Sequence, residues 1–109
     1  MIKVSVMYPL TSGARFDHDY YREKHLPLIK SRMGADLKYY AIDKGLAGGA
    51  ASTPPAFVAM CHLICDSVES YESSYDPHAQ EILKDIAHFT NLIPVKLISE
   101  MVVESSAKD

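Results

Sequence analysis

The run FVAMCHLIC, Phe57–Cys65, is apolar at nearly every position and is bounded by a proline pair on one side and Asp66 on the other. Nine residues are far too few for a membrane-spanning helix, which needs about twenty, but suit a strand buried on both faces. Such a strand requires neighbours in its sheet and cover above and below it. The rest of the chain supplies candidates. Ile2, Val4, Val6 and Tyr8 alternate with Lys3, Ser5 and Met7, which predicts a first strand. Residues 37–46 read as a second strand, with Tyr39 and Tyr40 facing opposite ways, and residues 95–104 as a last one.

Two helical stretches separate these strands. Asp17 is a suitable N-cap, Asp19 complements the positive end of the helix dipole, and Phe16 and Tyr21 sit at staple offsets. Helix geometry from Tyr21 places Tyr21, His25, Leu28, Ile29 and Met33 on one stripe, with Gly34 as the stop. Pro27 interrupts this pattern, because its missing N–H leaves the Glu23 carbonyl unpartnered, a defect of ~3 kcal/mol in a regular helix. The expectation is a kink, or a helix that ends and restarts. In the second stretch Asp66 and Glu69 have capping-box spacing, and Asp76-Pro77 predicts a restart with a fresh cap. Ala79, Ile82, Leu83 and Ile86 then form the apolar stripe.

The order β-α-β-β-α-β is the ferredoxin-like α+β pattern, with helices on one face of an antiparallel sheet. A strand apolar on both sides then needs its open face covered, and a second copy of the chain does this most economically. A homodimer is therefore expected. Residues 1–104 read as one domain, and 105–109 as a disordered tail. A net charge of −3 with no basic run argues against nucleic acid as a partner. The opening MIKVSVMY lacks the character of a signal peptide and no segment reaches transmembrane length, so a cytoplasmic protein without membrane attachment is expected. Cys61 and Cys65, four strand residues or roughly 13 Å apart, cannot bridge each other and read as core filler.

His25 is the first functional candidate, as an inward imidazole beside a helix break. It suits a general acid or base near neutral pH, and equally a buried histidine that satisfies a freed carbonyl. Tyr21, one turn earlier, is the favoured partner, since a phenol can donate to a developing oxyanion. Tyr8, Tyr39 and Tyr40 on the strands, with Leu28 and Met60, are candidates to line a ligand pocket. His18, His62, His78 and His88 form no metal-ligand spacing with one another or with the cysteines, so no metal is expected. The glycine-rich stretch KGLAGGAASTPP, residues 44–55, leads into prolines rather than a helix and reads as a mobile hairpin loop, not a phosphate cradle.

Taken in order, FDHDYYREKHLPL, KSRMG, DKGLAGG, PPAFVAMCHL and PHAQEILKDI resemble the EthD family, named for ethyl tert-butyl ether degradation, over nearly the whole chain. The resemblance implies a dimeric α+β barrel, with a ligand cavity between sheet and helices onto which the family's histidine carries over as His25. It implies three functions. The first is an accessory or binding role for a small apolar molecule in ether or xenobiotic degradation, beside an oxidising system. The second is a cofactor-independent isomerase, lyase or cyclase using His25 with a tyrosine. The third is haem binding through His25 or His88; otherwise no cofactor is implied.

Overall fold

The computed structural model describes residues 1–105, so the expected tail lies, from 106 to 109, outside the described residues. Among the described residues the sheet has strands β1 (Ile2–Pro9), β2 (Tyr39–Lys44), β3 (Phe57–Cys65) and β4 (Val95–Glu100), in the order β2-β3-β1-β4. All pairings are antiparallel, and helices join β1 to β2 and β3 to β4. This is the ferredoxin-like α+β arrangement expected from the order of patterns.

The apolar run makes sense at once. β3 is hydrogen-bonded to β2 on one edge and β1 on the other, and Ala59, Cys61, Leu63, Ile64 and Cys65 are all buried. Cys61 and Cys65 are free thiols. The outer strands are shorter than the pattern suggests. β4 stops at Glu100 because its partner β1 begins at Ile2, the residue opposite Glu100. β2 has single further hydrogen bonds at Lys38 and Gly45, but ladder geometry only from Tyr39 to Lys44.

Pairing register divides the side chains. Val4, Val6, Tyr8, Cys61, Leu63 and Lys96 face the helices, while Ser5, Met7, Met60, His62, Tyr39, Val95 and Leu97 face the other way. On that second face Tyr39 is 49 %, Val95 50 % and Leu97 53 % exposed, so it carries bare apolar surface.

The first helical arm corrects the expectation at Pro27. The chain neither stops nor restarts: an α-turn (His18–Tyr20) widens into a π-helical segment (Tyr21–His25) and tightens again into an α-helix (Leu26–Met33). The Leu26 N–H reaches back five residues to the Tyr21 carbonyl. Pro27 then falls in the first turn of the following segment, where a missing N–H is harmless. The wide turn also swings Leu26 fully into the core, alongside Tyr21, His25, Ile29 and Met33, while Leu28 is only half-buried. Asp17 caps the arm as expected, accepting from the Tyr20 N–H at 3.1 Å. Gly34 ends the helix with φ +63°, and Lys30 Nζ donates to the Gly34 and Leu37 carbonyls.

In the second arm the cap is Ser67, not Asp66. Ser67 and Ser70 exchange side-chain and backbone hydrogen bonds at 3.0 and 3.1 Å, whereas Asp66 pairs with Lys38. Asp76 does not cap a restart either. It is itself helical, and residues Asp76–His78 form a 3-10 turn that links α-helices Val68–Tyr75 and Ala79–Asp85. That tighter turn rotates the following face, burying Ile82 and leaving Leu83 57 % exposed.

The loop after β2 is held by backbone hydrogen bonds from Gly45 to Val58 and from Gly48 to Thr53. A Cβ at Gly45 would collide with the Phe57 carbonyl, which is why the chain needs glycine there. At the same end of the sheet, the exit of the second arm is stitched to the loop after β1. Asp17 N donates to the Phe89 carbonyl at 2.7 Å, Thr90 Oγ1 to Arg15, and the Asn91 side chain bonds to Arg15 and Gly13. These bonds press the last turns of the second arm against His25.

Candidate functional site

Between the sheet and the two arms lies a cavity of about 400 Å³, within the range of small-molecule sites. Its floor is Val6, Tyr8, Cys61 and Leu63 from β1 and β3, with Lys96 from β4. Tyr21, His25 and Ile29 come from the first arm, and Tyr71, Tyr75, Asp76, Ile82 and Ile86 from the second.

His25 has the most ordered surroundings. The residue is 3 % exposed, and its ring stacks on Tyr21 at 5.7 Å and contacts Phe89 at 4.6 Å. Nδ1 lies 2.8 Å from Asp85 Oδ2, and the Tyr20 hydroxyl donates to the other Asp85 oxygen at 2.8 Å. With both oxygens engaged, Asp85 is fixed in place. Burial pushes the His25 imidazole below its ordinary value, against the opposing pull of the Asp85 hydrogen bond and charge. Burial works to raise the Asp85 carboxyl, but the hydrogen bonds from His25 and Tyr20 together bring it below the usual carboxylate range. Both directions describe one state: a neutral imidazole donating from Nδ1 to a carboxylate. That leaves Nε2, which has no protein partner among the described residues, as a lone pair on the cavity wall.

Two tyrosines of the lining carry buried hydroxyls. The Tyr21 and Tyr71 hydroxyls are sealed from solvent and make no hydrogen bond of good geometry. The Tyr21 hydroxyl sits beside the Cys61 thiol, itself pushed up by burial to about 11, a poor partner for a phenol. Desolvation raises Tyr8, Tyr21 and Tyr71 well above the ordinary phenol value, so all three stay protonated donors.

Of the residues singled out in the sequence, His25, Tyr21 and Tyr8 meet at this cavity. Tyr40 faces the helical side but packs in the core beyond the cavity, and Leu28 turns to the side of its helix. Tyr39 and Met60 lie on the far face of the sheet, by strand alternation. His88 is exposed and stacks on Tyr20 at 5.9 Å, outside the cavity. Asp85, Tyr71 and Lys96 escaped the sequence reading. Asp85 follows Ile82 by three residues on the buried stripe, a faint sign that it turns inward. Lys96, flanked by Val95 and Leu97, reads as the solvent side of a strand; in the structure it is exposed but lies on the helix side of the sheet, where it lines the cavity. Among the described residues no cluster of three or more His, Cys, Asp or Glu could hold a metal ion, and no helix is long and apolar enough to cross a membrane.

The model of the EthD domain matches residues 12–93, which contain both helical arms and His25 with Asp85. The chain belongs to the EthD family. An EthD-like protein of Ralstonia eutropha JMP134 is 56 % identical, over 96 % of this chain and 95 % of its own, with a TM-score of 0.91. An ethyl tert-butyl ether degradation (EthD) family protein of Bacillus halodurans C-125 shares the fold at 19 % identity, covering 92 % of this chain and 97 % of its own, with a TM-score of 0.67. A dimeric ferredoxin-like protein of Thermobifida fusca YX, of unknown function, is similar in fold at 18 % identity, covering 89 % and 87 %, with a TM-score of 0.51. A search of curated proteins found no match.

Proposed function

We propose that this EthD protein is a cofactor-independent acid–base enzyme acting on a small, largely apolar carbonyl compound in the sheet–helix cavity. The observation that carries this reading is the His25–Asp85 pair, with Nδ1 occupied and Nε2 left to the cavity. In the proposed step Nε2 removes a proton from the carbon next to the carbonyl. The Asp85 carboxylate stabilises the imidazolium that forms, and the Tyr21 hydroxyl donates to the enolate oxygen. Return of that proton to another carbon gives isomerisation, and expulsion of a β-hydroxyl as water gives dehydration.

Deuterium uptake from D2O at the methyl carbon of 2-acetylnaphthalene, followed by NMR, tests this without knowledge of the natural substrate. His25→Gln is expected to reduce the protein-catalysed exchange by roughly 10²–10⁴-fold while the ketone still binds. No exchange by the wild type above buffer would overturn the catalytic reading. It would favour the second one, an accessory protein that binds apolar molecules in ether or xenobiotic degradation. The largely apolar lining and the ether-degradation name of the Bacillus relative support that alternative.

The protein is further proposed to be a cytoplasmic homodimer with the two sheets face to face. The exposed Tyr39, Val95 and Leu97 on the face away from the helices support this, as does the dimeric description of the Thermobifida protein. Sedimentation equilibrium is expected to give twice the monomer mass; a monomer at micromolar concentration would overturn it.

A further inference from the structure

Lys96 occupies an unusual position. It is the β4 residue opposite Val6, and Val6 is in turn opposite Cys61, so the three stand in a row across the sheet, facing the helices. Two strand spacings separate Lys96 from Cys61, about 10 Å at the backbone. Cys61 lies beneath Tyr21 at the His25 end of the cavity, so Lys96 marks the other end. Its Nζ is 4.7 Å from the ring centroids of both Tyr71 and Tyr75, which stack on each other at 5.1 Å. Among the described residues Lys96 has no ion pair within 4 Å. Asp76 and Glu72 attract it from a distance, but desolvation outweighs them and lowers its ammonium below the ordinary lysine value.

The orphaned phenols fall at the same two ends. Tyr21 is stacked on His25, while Tyr71 is under Lys96; the Tyr71 hydroxyl is buried without a partner, and the Tyr21 hydroxyl has only the poor acceptor Cys61 beside it. A sealed donor without an acceptor is costly, and it points to a group that arrives from elsewhere. We propose that the cavity takes a ligand with an oxygen function at each end of an apolar body, and that the end held by Lys96 and the Tyr71 hydroxyl is a carboxylate. The neutral oxygen function lies at Tyr21 and His25. Lys96 is thus a specificity-determining residue that selects organic acids over neutral compounds of the same shape. This deepens the proposed function by naming its substrate class, and it rests on the cavity being a ligand site rather than on chemistry at His25.

The test compares 6-hydroxy-2-naphthoate with 6-hydroxy-2-naphthamide, a neutral compound of the same shape, by fluorescence titration. The wild type is expected to bind the acid about tenfold or more tightly than the amide, as a charge-assisted hydrogen bond to a partly desolvated ammonium implies. Lys96→Met is expected to erase that preference while keeping the amide affinity, which also shows that the variant is folded. Lys96→Arg is expected to retain most of it. Equal binding of acid and amide by the wild type, or an unchanged preference in Lys96→Met, would overturn the carboxylate site alone. Binding of neither probe would overturn the reading of the cavity as a ligand site.

Discussion

Phe89→Ala is expected to cost about 3–5 kcal/mol, the usual range for emptying a buried aromatic site. Phe89 is completely buried and sits among the rings of Tyr8, Phe16, Tyr21 and His25, at centroid distances of 5.7, 5.3, 5.0 and 4.6 Å. Its backbone is also pinned, because its carbonyl accepts from Asp17 N and the following Thr90 is tied to Arg15. The neighbouring elements therefore cannot easily collapse into the space left behind. Against a typical domain stability of about 5–15 kcal/mol, such a loss is a large fraction of the whole. Urea unfolding followed by tyrosine fluorescence measures it directly. A loss below about 1 kcal/mol would mean that the aromatic cluster does not hold the two arms together.

In Asp85→Asn the His25 titration midpoint moves further down. Burial depresses the imidazole in the native protein, and Asp85 is the group that opposes this through its hydrogen bond and its charge. Removing the charge leaves desolvation less opposed. The ordinary histidine value is about 6.5. Because the folded-state value lies below it, the unfolded chain takes up a proton first as the pH falls through that value. The contribution of His25 to stability is therefore complete above about pH 6.5 and declines below it, down to the folded-state value. Asp85, depressed below about 3.9, contributes fully above that pH and loses its contribution as the pH falls toward its own folded-state value. Acid thus weakens the native protein in two successive windows. Asp85→Asn deepens the loss in the upper window and removes the lower one, besides costing about 1–3 kcal/mol at neutral pH for the broken hydrogen bonds. NMR titration of the His25 ring, with urea midpoints at several pH values, reads both effects. A His25 midpoint that stays put or rises in Asp85→Asn would refute the pairing.

Much of the fold could be read from local pattern. Alternation in β1 and the continuous apolar run of β3 reflect burial on one face or two, a property each strand carries in its own residues. The Asp17 cap and the Phe16–Tyr21 contact depend on neighbours within five positions, and both are present. Pro27 announced a disturbance but not its form. A kink, a restart and a π-turn all accommodate a missing N–H, and packing against β1 and Phe89 favours the one that keeps Tyr21 and His25 in the core. The serine cap at Ser67 and the 3-10 turn at Pro77 were missed for a related reason: adjacent residues offered equally good caps, and chain direction at the strand exit chose between them.

The candidate site divides along the same line. His25 and Tyr21 were visible because both lie on one helical stripe, and Tyr8 because it continues the alternation of Ile2, Val4 and Val6 along β1. Asp85 lies 60 positions from His25, and that the exposed Lys96 also lines the cavity is known only from its register opposite Val6. Residue type and periodicity say which way a side chain tends to point. They say nothing of which distant side chain it meets, because that depends on how the two arms dock on the sheet. Here the docking is set by the bonds joining Gly13, Arg15 and Asp17 to Phe89, Thr90 and Asn91, and by the ring cluster around Phe89. The succession of strands and helices and the Asp17 cap were therefore local matters, while the imidazole–carboxylate pair and the lysine at the far end of the cavity arise from contacts between segments far apart in the chain.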